Sequence, residues 1–348
     1  MTAKSIATFE RTVAGGGVPL GDGDASNTYE TDSTLRLAFL GCEVRAPYGP
    51  YKHTATLFVD LISSAWSLAL DPGERRTLVL EVFATSQGEL PSNDDLSDFD
   101  GVVLPGSFSS VYNDTPWILA LKDWIQGVLV KEEIPTLGVC FGHQLYAHSF
   151  RGGRATKCPA GPQAGRKITE LTPCGRAFLD IAKQMKQNHG SNLQQQQQDD
   201  SLPSTSDNAL DLLYTHGDMV ESLPSNGVSL GGNEPVPIHS AVYFSSSPSE
   251  DPAAVIRANG GSGNDKDSGS PSVIAVTFQA HPEMAALGTE TKGEETFSRC
   301  AKLMRDNGDL PKDACKIALS DAETTGKQVT QQSLEAMVAA GRLLEWFQ

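Results

Sequence analysis

The sequence predicts an α/β fold: an open, mostly parallel sheet flanked by helices, with a small antiparallel portion and a C-terminal helical extension. Three observations predict it. Short aliphatic runs alternate with helical patterns in the first half of the chain, two of these runs are apolar almost throughout, and the pattern after residue 289 is helical. Nearly continuous apolar runs are typical of parallel strands that helices cover on both faces.

The first half of the chain alternates between predicted strands and helices. In order, these are the strand 35–41 (LRLAFLG), a helix near 54–70, the strands 77–84 (TLVLEVFA) and 101–106 (GVVLPG), a helix from 116 to about 130, and the strand 134–140 (IPTLGVC). This alternation predicts βαβ crossovers, because parallel strands need a long connection. Residues 1–34 are rich in Gly, Asp, Ser and Thr, so we expect a flexible leader and the first structure at Leu35.

The second half is more mixed and contains two stretches of low complexity. Its predicted strands, several of them antiparallel, are 166–171, 210–216, 241–245, 253–258 and 272–281. Residues 187–208, with five consecutive glutamines, and residues 259–272 cannot bury enough apolar surface to fold alone. We interpret both as surface insertions in a domain spanning 35–290. Residues 291–348 form the predicted C-terminal helical extension.

Composition limits the classes of function. Lys and Arg total 27 against 43 Asp and Glu, a formal net charge of −16, and a surface of that sign repels phosphate backbones and anionic lipid. We therefore expect neither nucleic acid nor a membrane as a partner. The first residues carry no hydrophobic block of the signal-peptide type, and six cysteines occur without a C-x-x-C pair. These features predict a reducing, cytoplasmic location.

The segment around Cys140 has the pattern of a nucleophile. An apolar strand leads into Gly138, Cys140 and Gly142, and a helix-compatible stretch follows at once. Small residues two before and two after a nucleophile allow a sharp strand-to-helix turn that presents the side chain at the carboxyl edge of a sheet. Amides at the start of a helix stabilise a thiolate. The alternative, a small buried core cysteine, is the commonest fate of a free thiol, but the spacing favours the nucleophile.

A thiol nucleophile usually works with a histidine and often with a carboxylate that orients the histidine. His281 ends the predicted strand 272–281, and Pro282 and Glu283 follow it. Strand ends are where the catalytic groups of open α/β sheets collect. Without Cys140, a surface histidine at a strand end would be the better interpretation of His281. The other five cysteines lack the elbow context and are interpreted as structural.

Two motifs together resemble a known family. GVCFGHQ and QAHPEM are similar to the signature of class I glutamine amidotransferases, whose triad is Cys, His and Glu in that order. The segments 99–118 (FDGVVLPGSFSSVYNDTPWI) and 214–224 (YTHGDMVESLP) resemble the family's oxyanion-loop region and a later loop. The resemblance covers about 35–290 apart from the two insertions. It is strongest to free-standing members that resemble the amidotransferase domain of GMP synthase.

The resemblance implies a triad for hydrolysis of glutamine. Cys140 would attack the side-chain amide carbon, His281 would act as base and then as acid toward ammonia, and Glu283 would orient His281. Water would then hydrolyse the glutamyl thioester.

The resemblance also implies an oxyanion hole and substrate contacts. The backbone N–H of Phe141 would hold the oxyanion together with a second N–H. Because the segment reads Pro-Gly-Ser where the family more often has Gly-Gly-Pro, the second donor stays open between Gly106 and Ser107. Gln144 and His216 resemble residues that contact the substrate, although His216 also fits a polar group that closes a turn.

The sequence carries neither a G-x-x-x-x-G-K-[ST] phosphate loop nor a metal-binding motif, so no cofactor or metal is predicted. We therefore predict a glutamine-hydrolysing enzyme that supplies ammonia, or an amide nitrogen, to a separate acceptor or synthase partner. An accessory role in a specialised-metabolite pathway is one setting for it. The alternatives are a γ-glutamyl peptidase acting on glutathione-like conjugates and a non-catalytic regulatory or binding domain.

Overall fold

The computed structural model describes residues 4–16, 33–188, 208–248, 251–260, 271–285, 293–324 and 326–347. The strands are β1 (Ala7–Ala14), β2 (Thr34–Leu40), β3 (Arg75–Phe83), β4 (Gly101–Leu104), β5 (Thr136–Val139), β6 (Arg154–Lys157), β7 (Gln163–Leu171), β8 (Ala209–His216), β9 (Asp218–Ser222), β10 (Gly227–Asn233), β11 (Val236–Phe244) and β12 (Val273–Phe278). The helices are α1 (Tyr51–Ala69), α2 (Asn93–Leu96), α3 (Pro116–Trp124), α4 (Phe141–His148), α5 (Pro173–Asn188), α6 (Pro252–Gly260), α7 (Gly293–Asp306), α8 (Lys312–Thr324) and α9 (Gly326–Leu343). Among these described helices, none has the length and apolar character needed to cross a membrane.

The main sheet confirms the predicted fold class. Within the described residues it has the strand order β1-β3-β2-β4-β5-β12-β11-β10-β7-β8. Strands β3, β2, β4, β5 and β12 pair in parallel, and β11, β10, β7, β8 and β1 pair antiparallel with their neighbours. A separate antiparallel ribbon joins β6 and β9. The parallel centre places the carboxyl ends of β2, β4, β5 and β12 at one edge.

The central strands are buried on both faces. Along β2, Leu37 and Phe39 join the apolar cluster under α1, α5, α6 and α9, while Ala38 and Leu40 join the cluster under α3 and α4. Successive side chains of a strand point to opposite faces, so each face receives alternate residues. Burial of a Leu or Phe side chain contributes about 1.5–3 kcal/mol to the free energy of unfolding. The nearly continuous apolar runs therefore reflect helices on both faces.

The expectation that structure begins at Leu35 was wrong for residues 7–14. These residues form β1, which pairs antiparallel with β3 at the edge of the sheet. The alternation in ATFERTVA buries Val13, and on the same strand Arg11 forms an ion pair with Asp60 of α1. The strand was not predicted because residues 1–34 were judged by their average composition, which is Gly-rich and polar, and the alternating segment is short.

The predicted strand 253–258 was also wrong, because it lies in α6. A short apolar run such as AAVIRA fits a buried strand and a buried helix equally well. The Asp251 carboxylate accepts a hydrogen bond from the N–H of Ala253 at 3.0 Å, which stabilises the start of the helix. The predicted insertions 187–208 and 259–272 fall largely outside the described residues. The division of the chain at residue 290 stays a prediction.

The end of the chain packs into the main core. The ring of Phe347 stacks on Trp66 of α1 with centroids 5.9 Å apart and planes at 9°. Trp346 Nε1 donates a hydrogen bond to the carbonyl of Asp100 at 3.2 Å, next to the start of β4. Residues of α9 share the apolar cluster under α1. The predicted helical extension is therefore part of the cover of the sheet.

We expect Phe347→Ala to lower the free energy of unfolding by about 3–5 kcal/mol, because it removes a buried ring and leaves a cavity. Chemical denaturation measures this change. Ile317→Ala on α8 is the control, since that side chain is 63% exposed and its loss should change stability by less than about 0.5 kcal/mol. Equal effects of the two substitutions would contradict the packing described above.

Candidate active site

Cys140 is the single residue between β5 and α4, and its backbone conformation is one that L-residues seldom adopt. Its φ is 51° and its ψ is −99°. Its N–H donates to the carbonyl of Phe278 on β12 at 2.7 Å, and its carbonyl accepts from the N–H of Gln144 at 3.0 Å. These bonds fix a sharp turn at the carboxyl edge of the sheet, with the thiol at the start of a helix.

Two glycines make this turn possible. A Cβ atom on Gly142 would lie 2.1 Å from the carbonyl oxygen of Leu104, the last residue of β4. A Cβ atom on Gly138 would lie 3.0 Å from the backbone of Gly142. The first turn of α4 thus sits directly on the ends of β4 and β5, and a side chain at position 142 would push it away.

We expect Gly142→Ala to lower the free energy of unfolding by about 1–3 kcal/mol, because the new methyl group meets backbone that cannot yield. Thermal or chemical unfolding measures the change. Gly127→Ala is the matched control, since a Cβ atom there meets nothing within 4 Å. A Gly142→Ala variant as stable as the Gly127→Ala variant would show that a methyl group fits at position 142.

His281 and Glu283 form a buried pair just after β12. The Nδ1–H of His281 donates to Oε1 of Glu283 at 2.7 Å, and both residues are 1% exposed. The backbone N–H of His281 donates to the carbonyl of Leu213 on β8 at 2.8 Å, which fixes the segment. The structure brings this pair to the Cys140 thiol although the two motifs are far apart in sequence.

The charges around His281 favour its protonated form. Burial alone would lower the pKa of His281, but the Glu283 carboxylate and the Cys140 sulfur raise it to about 10. Among the described residues, Nε2 of His281 meets no partner at regular hydrogen-bond geometry. Cys140 therefore acts on this atom mainly through charge, and the imidazolium persists at neutral pH.

We expect the His281 imidazole to stay protonated from pH 5 to 9, and Glu283→Gln to lower its pKa. The substitution removes the negative charge that offsets burial, so the proton should be lost on going up through neutral pH. Nitrogen NMR of the imidazole rings across pH 5–10 measures this. His216 is an internal control, because burial and then His239 lower its pKa to about 3, so it stays neutral throughout. A wild-type His281 that titrates near its ordinary value of about 6.5 would contradict the expectation.

Gly106 lies against the reaction centre. A Cβ atom on this residue would lie 3.0 Å from Cε1 of His281 and 2.8 Å from the hydroxyl of Tyr48. Its backbone therefore lies close to both side chains and leaves no room for a Cβ atom. A glycine is needed here because any side chain would collide with both rings.

Glu43 anchors the loop that follows Gly106. Its Oε2 accepts hydrogen bonds from the N–H of Phe108 at 2.9 Å and from the hydroxyl of Ser107 at 3.3 Å. Burial opposes ionisation, but hydrogen bonds from Arg45 and Phe108 lower the pKa of Glu43, which keeps it a carboxylate. The amide of Phe108 is thus occupied, while within the described residues the amides of Gly106 and Ser107 donate to no protein atom.

Asp218, at the start of β9, holds the far end of the same loop. Its Oδ2 accepts from the hydroxyl of Ser110 at 2.6 Å, and its Oδ1 accepts from the hydroxyl of Tyr112 at 2.8 Å. The loop after β4 is therefore fixed at both ends by carboxylates from other elements. Phe141 is the first residue of α4, so its amide has no partner within its own helix.

Gln144 and His216 meet at the backbone of Asp218. Nε2 of Gln144 donates to the Asp218 carbonyl at 2.9 Å and to Oε1 of Gln279 at 3.1 Å. Nδ1 of the neutral His216 donates to the same carbonyl at 2.9 Å. In the described part of the chain no group donates to Oε1 of Gln144 or to Nε2 of His216, so both remain acceptors.

Sequence reasoning missed three residues of the site. Gln279 Nε2 lies 3.6 Å from the sulfur of Cys140, the Tyr48 hydroxyl occupies the space where a Gly106 side chain would begin, and Glu43 holds the loop. Glu43 follows the carboxyl end of β2, so the rule that applied to His281 could have indicated it. Gln279 lies in QAHPEM two residues before His281, but no local sequence pattern predicts that its side chain contacts Cys140.

With this geometry in place, the comparisons with known proteins identify the family. The model of glutamine amidotransferase class-I matches residues 57–241, just over half of the chain. The chain belongs to the class I glutamine amidotransferase family. The matched range includes Cys140 and ends before His281 and Glu283.

Two curated relatives match parts of the chain. Gamma-glutamyl peptidase 4 of Arabidopsis thaliana is 35% identical over 116 residues, 33% of this chain and 40% of the relative. The glutamine-hydrolyzing GMP synthase of Porphyromonas gingivalis W83 is 28% identical over 144 residues, 41% of this chain and 22% of the relative. The chain thus matches less than half the length of either relative.

Solved structures share the fold. A glutamine amidotransferase from Thermotoga maritima superposes with a TM-score of 0.55 at 18% identity, covering 89% of this chain and 98% of that protein. A glutamine amidotransferase from Methylobacillus flagellatus gives a TM-score of 0.52 at 16% identity, covering 90% of this chain and 95% of that protein. At such identities the likeness concerns the architecture alone.

Proposed function

We propose that this chain hydrolyses γ-glutamyl amides, with glutamine as the first substrate, through a thioester on Cys140. The observation that carries the proposal is the buried ion pair of His281 and Glu283 beside a thiol on a strained turn at the start of a helix. Such a helix start stabilises a thiolate, and the imidazolium supplies a proton where a leaving group departs.

Acylation begins from the thiolate and imidazolium pair. The sulfur of Cys140 attacks the δ-carbon of glutamine, and the carbonyl oxygen becomes an oxyanion. The amide of Phe141 and that of Gly106 or Ser107 donate to this oxygen, a stabilisation of about 3–4 kcal/mol per donor. The intermediate collapses as Nε2–H of His281 protonates the nitrogen, the carbon–nitrogen bond breaks, and ammonia leaves.

Deacylation uses the neutral imidazole that acylation leaves behind. Nε2 of His281 takes a proton from water, and the hydroxide attacks the thioester carbon. The carbon–sulfur bond then breaks, which releases the Cys140 thiolate and the γ-carboxylic acid. The acid gives its proton to solvent and leaves as glutamate, while the first proton stays on His281. Glu283 holds the ring through Nδ1 during both steps, and its charge stabilises the imidazolium.

Two acceptor atoms without donors in the described part of the chain fit the amino-acid end of the substrate. Oε1 of Gln144 and Nε2 of His216 both lack donors from the described protein and both flank the Asp218 carbonyl. A substrate α-ammonium has three N–H donors and would satisfy two such acceptors. We therefore assign both residues to substrate binding. The ammonia would pass to a separate acceptor or synthase, which the similarity to a glutamine-hydrolyzing GMP synthase supports.

A second candidate is cleavage of γ-glutamyl peptide bonds, as in glutathione-like conjugates. The similarity to gamma-glutamyl peptidase 4 favours it. The acyl enzyme would be the same, and only the leaving group would differ: an amino acid amine in place of ammonia.

We expect the purified protein to form a glutamyl adduct on Cys140 and to release glutamate. Intact mass spectrometry after incubation with glutamine and with γ-glutamyl dipeptides identifies the adduct and ranks the two candidates. Cys140→Ala should lower turnover by at least about 10³-fold, since the nucleophile is lost.

Cys315→Ala, at a buried cysteine of α8, is the control and should retain activity. Normal turnover by the Cys140 variant would refute the mechanism. Failure of glutamine-mimicking electrophiles to label Cys140 would favour the alternative of a non-catalytic binding domain.

A further inference from the structure

Gln279 is a buried polar residue in direct contact with the sulfur of Cys140. Its Nε2 lies 3.6 Å from Sγ, and the residue has no exposed surface. Its backbone N–H donates to the carbonyl of His239 at 2.7 Å, which fixes the start of the side chain. Gln279 follows β12 directly and precedes His281 by two residues, so both contribute to the surroundings of the same thiol.

Its neighbours determine which end of the Gln279 amide faces the sulfur. The Asp218 carbonyl can only accept, so the end of Gln144 that lies 2.9 Å from it must be the NH₂ group. The same NH₂ group lies 3.1 Å from the near atom of the Gln279 amide, which must therefore be the oxygen. The NH₂ group of Gln279 is then left to point at Cys140. One backbone carbonyl thus sets the direction of two side chains in series.

We propose that Gln279 is a further catalytic residue, whose side-chain N–H stabilises the Cys140 thiolate. A hydrogen bond to an ionised acceptor is about twice as strong as one to a neutral acceptor, so the bond favours the thiolate over the thiol and over the thioester. If the proposed function holds, the same bond assists twice. It maintains the nucleophile, and it stabilises the sulfur as the leaving group when the thioester breaks.

Two uncharged groups contact the sulfur: the Gln279 amide, which donates to it, and the Thr215 carbonyl, which accepts from the protonated thiol at 3.8 Å. Four titratable groups lie around it. His281 and Glu283 lie on the segment after β12, Tyr48 lies in the loop after β2, and Cys300 lies on α7. All four, and the Thr215 carbonyl, remain in place when Gln279 is replaced. A change in the behaviour of the thiol on replacement of Gln279 therefore reports the loss of the donor.

The test is the rate at which iodoacetamide alkylates Cys140, measured from pH 5 to 10 by mass spectrometry of the Cys140 peptide. Gln279→Met keeps the shape of the side chain and removes the donor. We expect its alkylation profile to move to higher pH by about one unit, with a rate at pH 6 reduced about tenfold. Gln331→Met is the matched control, because Gln331 bonds to Glu335 on α9 and should leave the profile unchanged.

Gln144→Met provides a second measurement that leaves Gln279 in place. It removes the bond that holds the Gln279 oxygen, so the profile should move in the same direction by a smaller amount. This variant also decides the matter if Gln279→Met fails to fold, which circular dichroism would show.

A folded Gln279→Met protein, or in its place a folded Gln144→Met protein, with the wild-type alkylation profile would overturn the proposal. Alkylation needs no substrate, so the result is separate from the proposed function. A shifted profile without turnover of any γ-glutamyl compound would support the donor and count against the hydrolase. Turnover together with an unshifted alkylation profile would support the hydrolase and count against the donor.

Discussion

The close approach of α4 to the end of β4 is the constraint on which the site depends. Because Gly142 has no side chain, the first turn of α4 rests on the carbonyl of Leu104, and the chain can reach it from β5 only through the unusual backbone angles of Cys140. Strain of this kind persists only where the surroundings enforce it. The enforcing contacts come from three parallel strands, β4, β5 and β12, whose ends meet at this point. The position of the thiol is thus a property of the sheet.

Near Cys140, two carboxylates fix the geometry of the loop after β4, and a third sets the charge of His281. Glu43 and Asp218 accept hydrogen bonds from the two ends of the loop after β4 and so hold its open amides near His281. Glu283 instead faces an imidazole and keeps it protonated. A buried carboxylate is costly unless it is paired, and buried Glu43 and Glu283 are paired with Arg45 and His281, whereas Asp218 is only half-buried. Among the residues that the structure describes, no protein group accepts from the amides of Gly106 and Ser107.

The sequence indicated the parts of this arrangement that depend on local pattern. The parallel strands follow from apolar runs, and the turn at Cys140 follows from glycines two residues to either side. Strand β1 was missed because one short alternation lay inside a polar stretch. Helix α6 was misassigned because a run of six residues, five of them apolar, does not distinguish a helix from a strand. Gln279 could not be placed, since its contact with Cys140 depends on how β12 lies beside β5. Pairing across the sheet is information that spacing along the chain does not contain.

The last helix, α9, and the residues after it are needed to complete the core of this domain. The region that matches the family, 57–241, ends inside β11 and contains neither β12 nor α6 and α9, which share with α1 and α5 the cover of one face of the sheet. Trp346 and Phe347 lie on that face together with α9. A fragment cut to the family boundaries would leave an open apolar surface and a broken sheet edge, which promotes aggregation. Grafting or dissecting this protein therefore requires its distal segment.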